Sequence, residues 1–148
     1  MFQQSSLYAI LLLTVRQKVD SAMTTFVIFV NTAPLNSING RHAIKFCQAA
    51  MAAGHQIQQI FFYGDGVNHA NCHALPVSGE TPLLAQWIDI KRISGAAFNL
   101  CITAAEKRGL VSAGNQQESV SEAFSVCGMA DYFSALHQNE PTLVSIQF

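Results

Sequence analysis

From Met23 onward, short continuous apolar runs alternate with stretches whose apolar positions recur every three or four residues. Phe26–Val30 is one such run, rich in β-branched and aromatic side chains and bounded by the polar Asn31–Gly40. That pattern predicts a central parallel strand covered on both faces. Arg41–Ala53 follows with a helical stripe of Ile44, Cys47, Ala50 and Met51, and Gly54 stops it. Ile57–Tyr63 predicts a second strand. Gly64-Asp65-Gly66 ends that strand and opens a loop through Asn68, His69, Asn71, Cys72 and His73 to Pro76. A helix over Glu80–Ser94 is predicted to bury Leu83, Leu84, Trp87, Ile88 and Ile90. Ala96–Leu100 predicts a third strand that runs through Cys101 into a short helix over Ile102–Lys107. After the polar Val111–Ser121, Ala123–Val126 is a short fourth strand. Gly128–Gln138 is a last helix packing through Met129, Tyr132, Phe133 and Leu136, and Leu143–Phe148 is a final strand beyond Pro141.

Strand and helix in this rhythm imply right-handed crossovers. The fold class is α/β: a single doubly wound domain over residues 23–148, with a mostly parallel five-stranded sheet and helices on both faces. A flavodoxin-like strand order puts the winding reversal between the first and third strands, and ligand crevices form at such a reversal. Asn31–Gly40, Cys101 and the Gly64–Pro76 loop all leave the sheet at that edge. Residues 1–22 do not share the pattern. Leu7–Val15 is apolar but shorter than the ~20 residues a bilayer span needs. Arg16 and Lys18 follow the apolar run, whereas a secretory signal carries its positive charge ahead of it. Two readings of this extension stay open. One is an upstream start with Met23 as the natural first residue; the other is an extra helix packed on the domain or on a neighbouring subunit.

Composition narrows the function. The 148 residues are 50% hydrophobic and only 11% charged. So little charge predicts that part of the surface is covered in a homo- or hetero-oligomer. A formal net charge of −1 offers no basic footprint for nucleic acid. Cys47, Cys72, Cys101 and Cys127 form no CxxC pair, which argues against a zinc site and a secreted disulfide framework and fits a reducing cytoplasm. No phosphate-cradling glycine loop is present, which weighs against a nucleotide- or anion-binding module.

The junction Gly95-Ala-Ala-Phe-Asn-Leu-Cys101-Ile-Thr-Ala-Ala-Glu-Lys-Arg-Gly109 carries the candidate chemistry. A cysteine there has its backbone in a strand and its thiol beside the free N–H groups of a helix start, which favour an anion and so a thiolate. Lys107 and Arg108 add positive potential one to two turns on. The competing reading is a small apolar residue filling a strand end. Cys47, on a helical stripe, reads as core. His69 has two readings, a helper in thiolate formation or a solvated loop residue. Asp65 reads as a turn residue, and Asn68 and Asn71 as partners of loop backbone or as lining of the crevice.

Phe61-Phe-Tyr-Gly-Asp-Gly-Val-Asn-His-Ala-Asn71 and Phe98-Asn-Leu-Cys-Ile-Thr-Ala-Ala-Glu-Lys-Arg-Gly-Leu-Val111 resemble the DsrE family of sulfur-transfer proteins, nearest its TusD branch. The similarity continues through Phe124-Ser-Val-Cys-Gly-Met129 to Val144-Ser-Ile-Gln-Phe148. The resemblance implies a sulfurtransferase whose Cys101 carries sulfane sulfur as a persulfide; His69, Lys107 and Arg108 are auxiliary candidates on the reading of the residues above, not on the resemblance. It implies partners as well: TusB- and TusC-like subunits, a TusA-like donor and a TusE-like acceptor, in a relay ending in 2-thiouridine at the tRNA wobble position. Relatives of this kind also serve sulfur oxidation. His69 and Cys127 depart from the family pattern, Cys127 standing where serine is common.

Such a carrier needs an accessible thiolate and neither metal nor cofactor. Two other classes stay open. One is a module binding a nucleotide or small anion in the strand-end crevice; the other is a non-catalytic subunit of a hetero-oligomer.

Overall fold

A computed structural model describes residues 22–35, 37–75, 79, 81–112, 119–137 and 142–148. The extension over residues 1–21, Glu80, Pro141 and much of the polar stretch after Val111 lie outside the described residues.

The chain runs β1 (Thr25–Val30), α1 (Ile38–Ala52), β2 (Gln56–Phe62), a 3-10 helix (Gly64–Ala70), α2 (Leu83–Ser94), β3 (Ala97–Cys101), α3 (Ile102–Glu106), β4 (Ser125–Cys127), α4 (Met129–Leu136) and β5 (Leu143–Gln147). The five strands form one sheet in the order β4-β3-β2-β1-β5, and every strand pair is parallel. The expected fold class is present, but the strand order differs from the flavodoxin-like one. Four strands wind in one direction, and only β5 crosses back to lie beside β1. The reversal therefore falls between β1 and β5, and Cys101 sits between β2 and β4 instead. An apolar run marks a buried strand without naming its neighbours, so this order was not legible from periodicity.

Alternation along the strands sends side chains to two covered faces. On one face Phe26 meets Phe46 of α1 edge-on at 5.0 Å, and Phe62 meets Trp87 of α2 at 5.2 Å. Phe98 and Phe124 complete this aromatic cluster. On the other face Phe29 and Phe61 pack against Tyr132 of α4, at 5.0 and 5.4 Å. Truncating a fully buried ring such as Phe62 to alanine costs about 3–5 kcal/mol at comparable sites.

α1 is longer than periodicity predicted, and α2 and α4 each turn one expected core residue to solvent. α1 begins at Ile38, three residues before Arg41, because the Ser37 hydroxyl accepts a hydrogen bond from the Asn39 N–H at 3.2 Å and caps the helix. On α2, Trp87 and Ile90 are buried while Ile88 is 41% exposed. One residue past Trp87 is a rotation of about 100°, which carries Ile88 off the sheet-facing stripe. Phe133 is likewise 52% exposed, one step past the Tyr132 that packs on the sheet.

Candidate functional site

β3 delivers Cys101 to the carboxyl edge of the sheet, where it is both the last strand residue and the N-terminal capping residue of α3. Phe98 and Leu100 face the core and hold the strand in register against β2, so the position of Cys101 is set by buried neighbours. Its side chain makes no capping hydrogen bond. The residue is 5% exposed, more covered than an accessible strand-end thiol was expected to be. Across the sheet its register partner is Cys127, the last residue of β4.

The segment read as a loop after β2 is a 3-10 helix with Gly66, Val67, His69 and Ala70 buried. It packs over the ends of the strands because Gly66 lets it: a Cβ there would lie 2.1 Å from the Val30 carbonyl oxygen. That same oxygen accepts the Tyr63 N–H at 2.9 Å. A 3-10 turn has no 3.6-residue stripe, and glycines beside an aspartate look like a loop.

Asp65 does more than turn the chain. Its Oδ1 accepts from Arg108 Nη2 at 2.7 Å and Nε at 3.0 Å, and Arg108 Nη1 donates to the Ala104 carbonyl at 3.1 Å. The guanidinium thus ties the 3-10 helix to the far end of α3, and much of its charge is met by Asp65. Lys107 is exposed at that same far end, one helix length from Cys101. Asn68 Nδ2 donates to the Asp65 carbonyl at 3.0 Å and Asn71 Oδ1 accepts from the His73 N–H at 2.9 Å, so both side chains serve loop backbone as expected.

His69 is not solvated; it is 2% exposed. Trp87 Nε1 can only donate, so the 3.0 Å contact makes His69 Nδ1 an acceptor. Nε2 then carries the proton and donates to the Thr32 carbonyl at 3.1 Å. With both nitrogens engaged inside the protein, His69 braces the crevice wall, and no ring nitrogen is left for the Cys101 thiol. Burial pushes its pKa down to about 4, partly opposed by the Thr32 hydrogen bond. The unfolded chain therefore takes up this proton below pH ~6.5, while the folded chain resists it until about pH 4. Stability from this site is complete above pH ~6.5 and is lost as pH falls toward 4. The expected loss is about 3 kcal/mol. Urea denaturation at pH 7.5 and 4.5 should show a drop that shrinks in His69→Gln, and an equal drop in both proteins contradicts the assignment.

The other thiols differ from Cys101. Burial pushes Cys47 up to about 12, as befits the expected core residue. Cys72 is exposed beyond the 3-10 helix. Cys127 is pushed up to about 11, by burial first and then by the nearby Asp131 carboxylate; Cys101 adds to this and the Leu100 backbone opposes it. A separate cavity of about 60 Å³ is lined by Arg41, Asn68, His69, Asn71, Thr81 and Leu84 among others, and Cys101 is not part of its wall. Its volume is well below the roughly 300 Å³ of small ligand pockets. Among the described residues no helix is long and apolar enough to cross a membrane.

Residues 24–144 match the model of the DsrE/DsrF-like family. The chain is 30% identical over 114 residues to a protein of Pasteurella multocida (strain Pm70) called "Sulfurtransferase TusD homolog", covering 74% of this chain and 90% of that one. Among solved structures it resembles the ychN protein from E. coli with a TM-score of 0.60 and 16% identity, over 84% of this chain and 100% of that one. At that identity the structural likeness speaks to the fold alone.

Proposed function

The chain belongs to the DsrE/DsrF-like family, and on that footing we propose that it is a sulfur carrier that holds sulfane sulfur as a persulfide on Cys101. The observation that carries this reading is the place of Cys101, at a carboxyl strand end and the start of a helix, in a chain similar to a named sulfurtransferase. The Cys101 thiolate attacks the outer sulfur of a donor persulfide and becomes Cys101–S–SH, releasing the donor thiolate. An acceptor thiolate then attacks that outer sulfur, and Cys101 leaves as thiolate for another cycle. Neither step needs a metal or an organic cofactor.

The covered thiol has a consequence for partners. A persulfide extends one sulfur beyond Cys101, so loading moves the reactive atom outward from a site that is 5% exposed. The donor is a TusA-like protein, the acceptor a TusE-like one, and TusB- and TusC-like subunits complete a hetero-oligomer in the cytoplasm. The relay ends in 2-thiolation of the tRNA wobble uridine. The DsrE-like sulfur-oxidation relay uses the same chemistry with a different end point.

A cell-based assay separates these ends. In cells lacking this chain, wobble 2-thiouridine should fall to background, return with the wild-type chain, and stay absent with Cys101→Ser. Unchanged thiolation in the deleted cells contradicts the tRNA assignment.

A further inference from the structure

Carrying sulfur on Cys101 leaves Cys127 without a role, although the fold sets it directly alongside. The two cysteines are register partners across the parallel β3–β4 pair, and each is the last residue of its strand. Directly opposite residues of a parallel pair project to the same face. Neighbouring strands lie about 4.8 Å apart, inside the roughly 4.4–6.8 Å Cα separation that a disulfide takes. Beyond them the chains diverge, Ile102 into α3 and Gly128 into the cap of α4, so the two thiols share one rim of the sheet. Cys127 is the more exposed of the pair. Asp131, at the start of α4, accepts the Gly128 N–H at 3.1 Å, which holds its carboxylate close to the Cys127 thiol.

We propose that Cys127 is a resolving thiol that discharges a persulfide stranded on Cys101. The inference rests on the carrier reading above. Cys127 Sγ attacks Cys101 Sγ, the inner sulfur of Cys101–S–SH. A Cys101–Cys127 bond forms, the bond to the outer sulfur breaks, and that sulfur leaves as hydrosulfide with the bonding electron pair. The two cysteines are together oxidised by two electrons and the sulfane sulfur is reduced by two. The Cys127 proton passes to Asp131 and then to solvent. A cellular dithiol reductant reopens the disulfide and returns both thiols. Burial, and then the Asp131 carboxylate, hold Cys127 largely protonated, so this internal attack is slow beside transfer to an acceptor thiolate. The pair therefore limits how long an unclaimed persulfide persists without draining a working relay.

The test uses the full chain, reduced, loaded with glutathione persulfide, freed of donor and held without acceptor. Wild-type protein should release hydrosulfide and yield a Cys101–Cys127 linked peptide under non-reducing digestion. Cys127→Ser should keep its adduct of about 32 Da on Cys101 about tenfold longer and give no linked peptide. In a second measurement, diamide on the reduced, unloaded wild type should produce the same link. Equal hydrosulfide release from both proteins overturns the inference, as does failure of diamide to join the two cysteines, and either result leaves the carrier reading standing. Absence of any adduct on Cys101 overturns the carrier reading and this one together.

Discussion

Cys101→Ser is expected to fold and to pass no sulfur from a persulfide donor to an acceptor thiol. A serine hydroxyl is not ionised near neutrality and forms no persulfide, so the loss should be to background and not by a modest factor. The structural cost is small for a nearly isosteric change. Cys101 is 5% exposed, so the hydroxyl needs a hydrogen-bond partner, and a shortage of partners costs about 1–2 kcal/mol. Against that, residue 101 caps α3, and serine is a favoured capping residue whose oxygen can accept an N–H of the first turn. Transfer assays with thermal denaturation of the same samples check both halves. A Cys101→Ser protein that is folded and still transfers sulfur at the wild-type rate places the chemistry elsewhere.

Gly66→Ala is expected to be the most damaging glycine-to-alanine change among the described residues. The added Cβ would sit 2.1 Å from the Val30 carbonyl oxygen and 2.8 Å from its carbon, both backbone atoms at the end of β1. That oxygen also accepts the Tyr63 N–H, so it cannot retreat without breaking the junction between β1 and the 3-10 helix. Overpacking against a fixed backbone costs about 3 kcal/mol or more, which lowers the melting temperature by roughly 6–12 °C at this size. Gly54 supplies the contrast. It has φ of +84°, yet an added Cβ meets nothing within 4 Å, so Gly54→Ala should cost only about 1 kcal/mol through added backbone strain. Equal losses in the two variants, read by urea denaturation, contradict the close-approach account.

What was legible in the sequence follows from which forces leave a local signature. Phe26–Val30 and Ile57–Tyr63 announced buried strands because both faces of a parallel sheet demand apolar residues. Cys101 was placed at its strand–helix junction to the residue, since Leu100 ends the apolar run and Ile102–Glu106 starts a new period. The strand order was not legible, because the return of β5 to the edge of β1 depends on how whole layers pack. Neither reading of His69, thiolate helper or solvated loop residue, anticipated its burial, for a related reason. Its partners Trp87 and Thr32 are distant in sequence, and a buried neutral imidazole leaves no periodic trace. The Asp65–Arg108 pair spans 43 positions and was invisible for the same cause. Cys127 stood out in the sequence only as a departure from a serine; its pairing with Cys101 needed the β3–β4 register.

The claim that Cys101 carries the sulfur is tested most directly by mass spectrometry of the wild-type chain after brief exposure to a persulfide donor. Peptide mapping should place one added sulfur, about 32 Da, on the peptide containing Cys101, and a thiol reductant should remove it, because the linkage is an S–S bond. Sulfur found first on Cys72, or on Cys127 with Cys101 unmodified, would contradict the account.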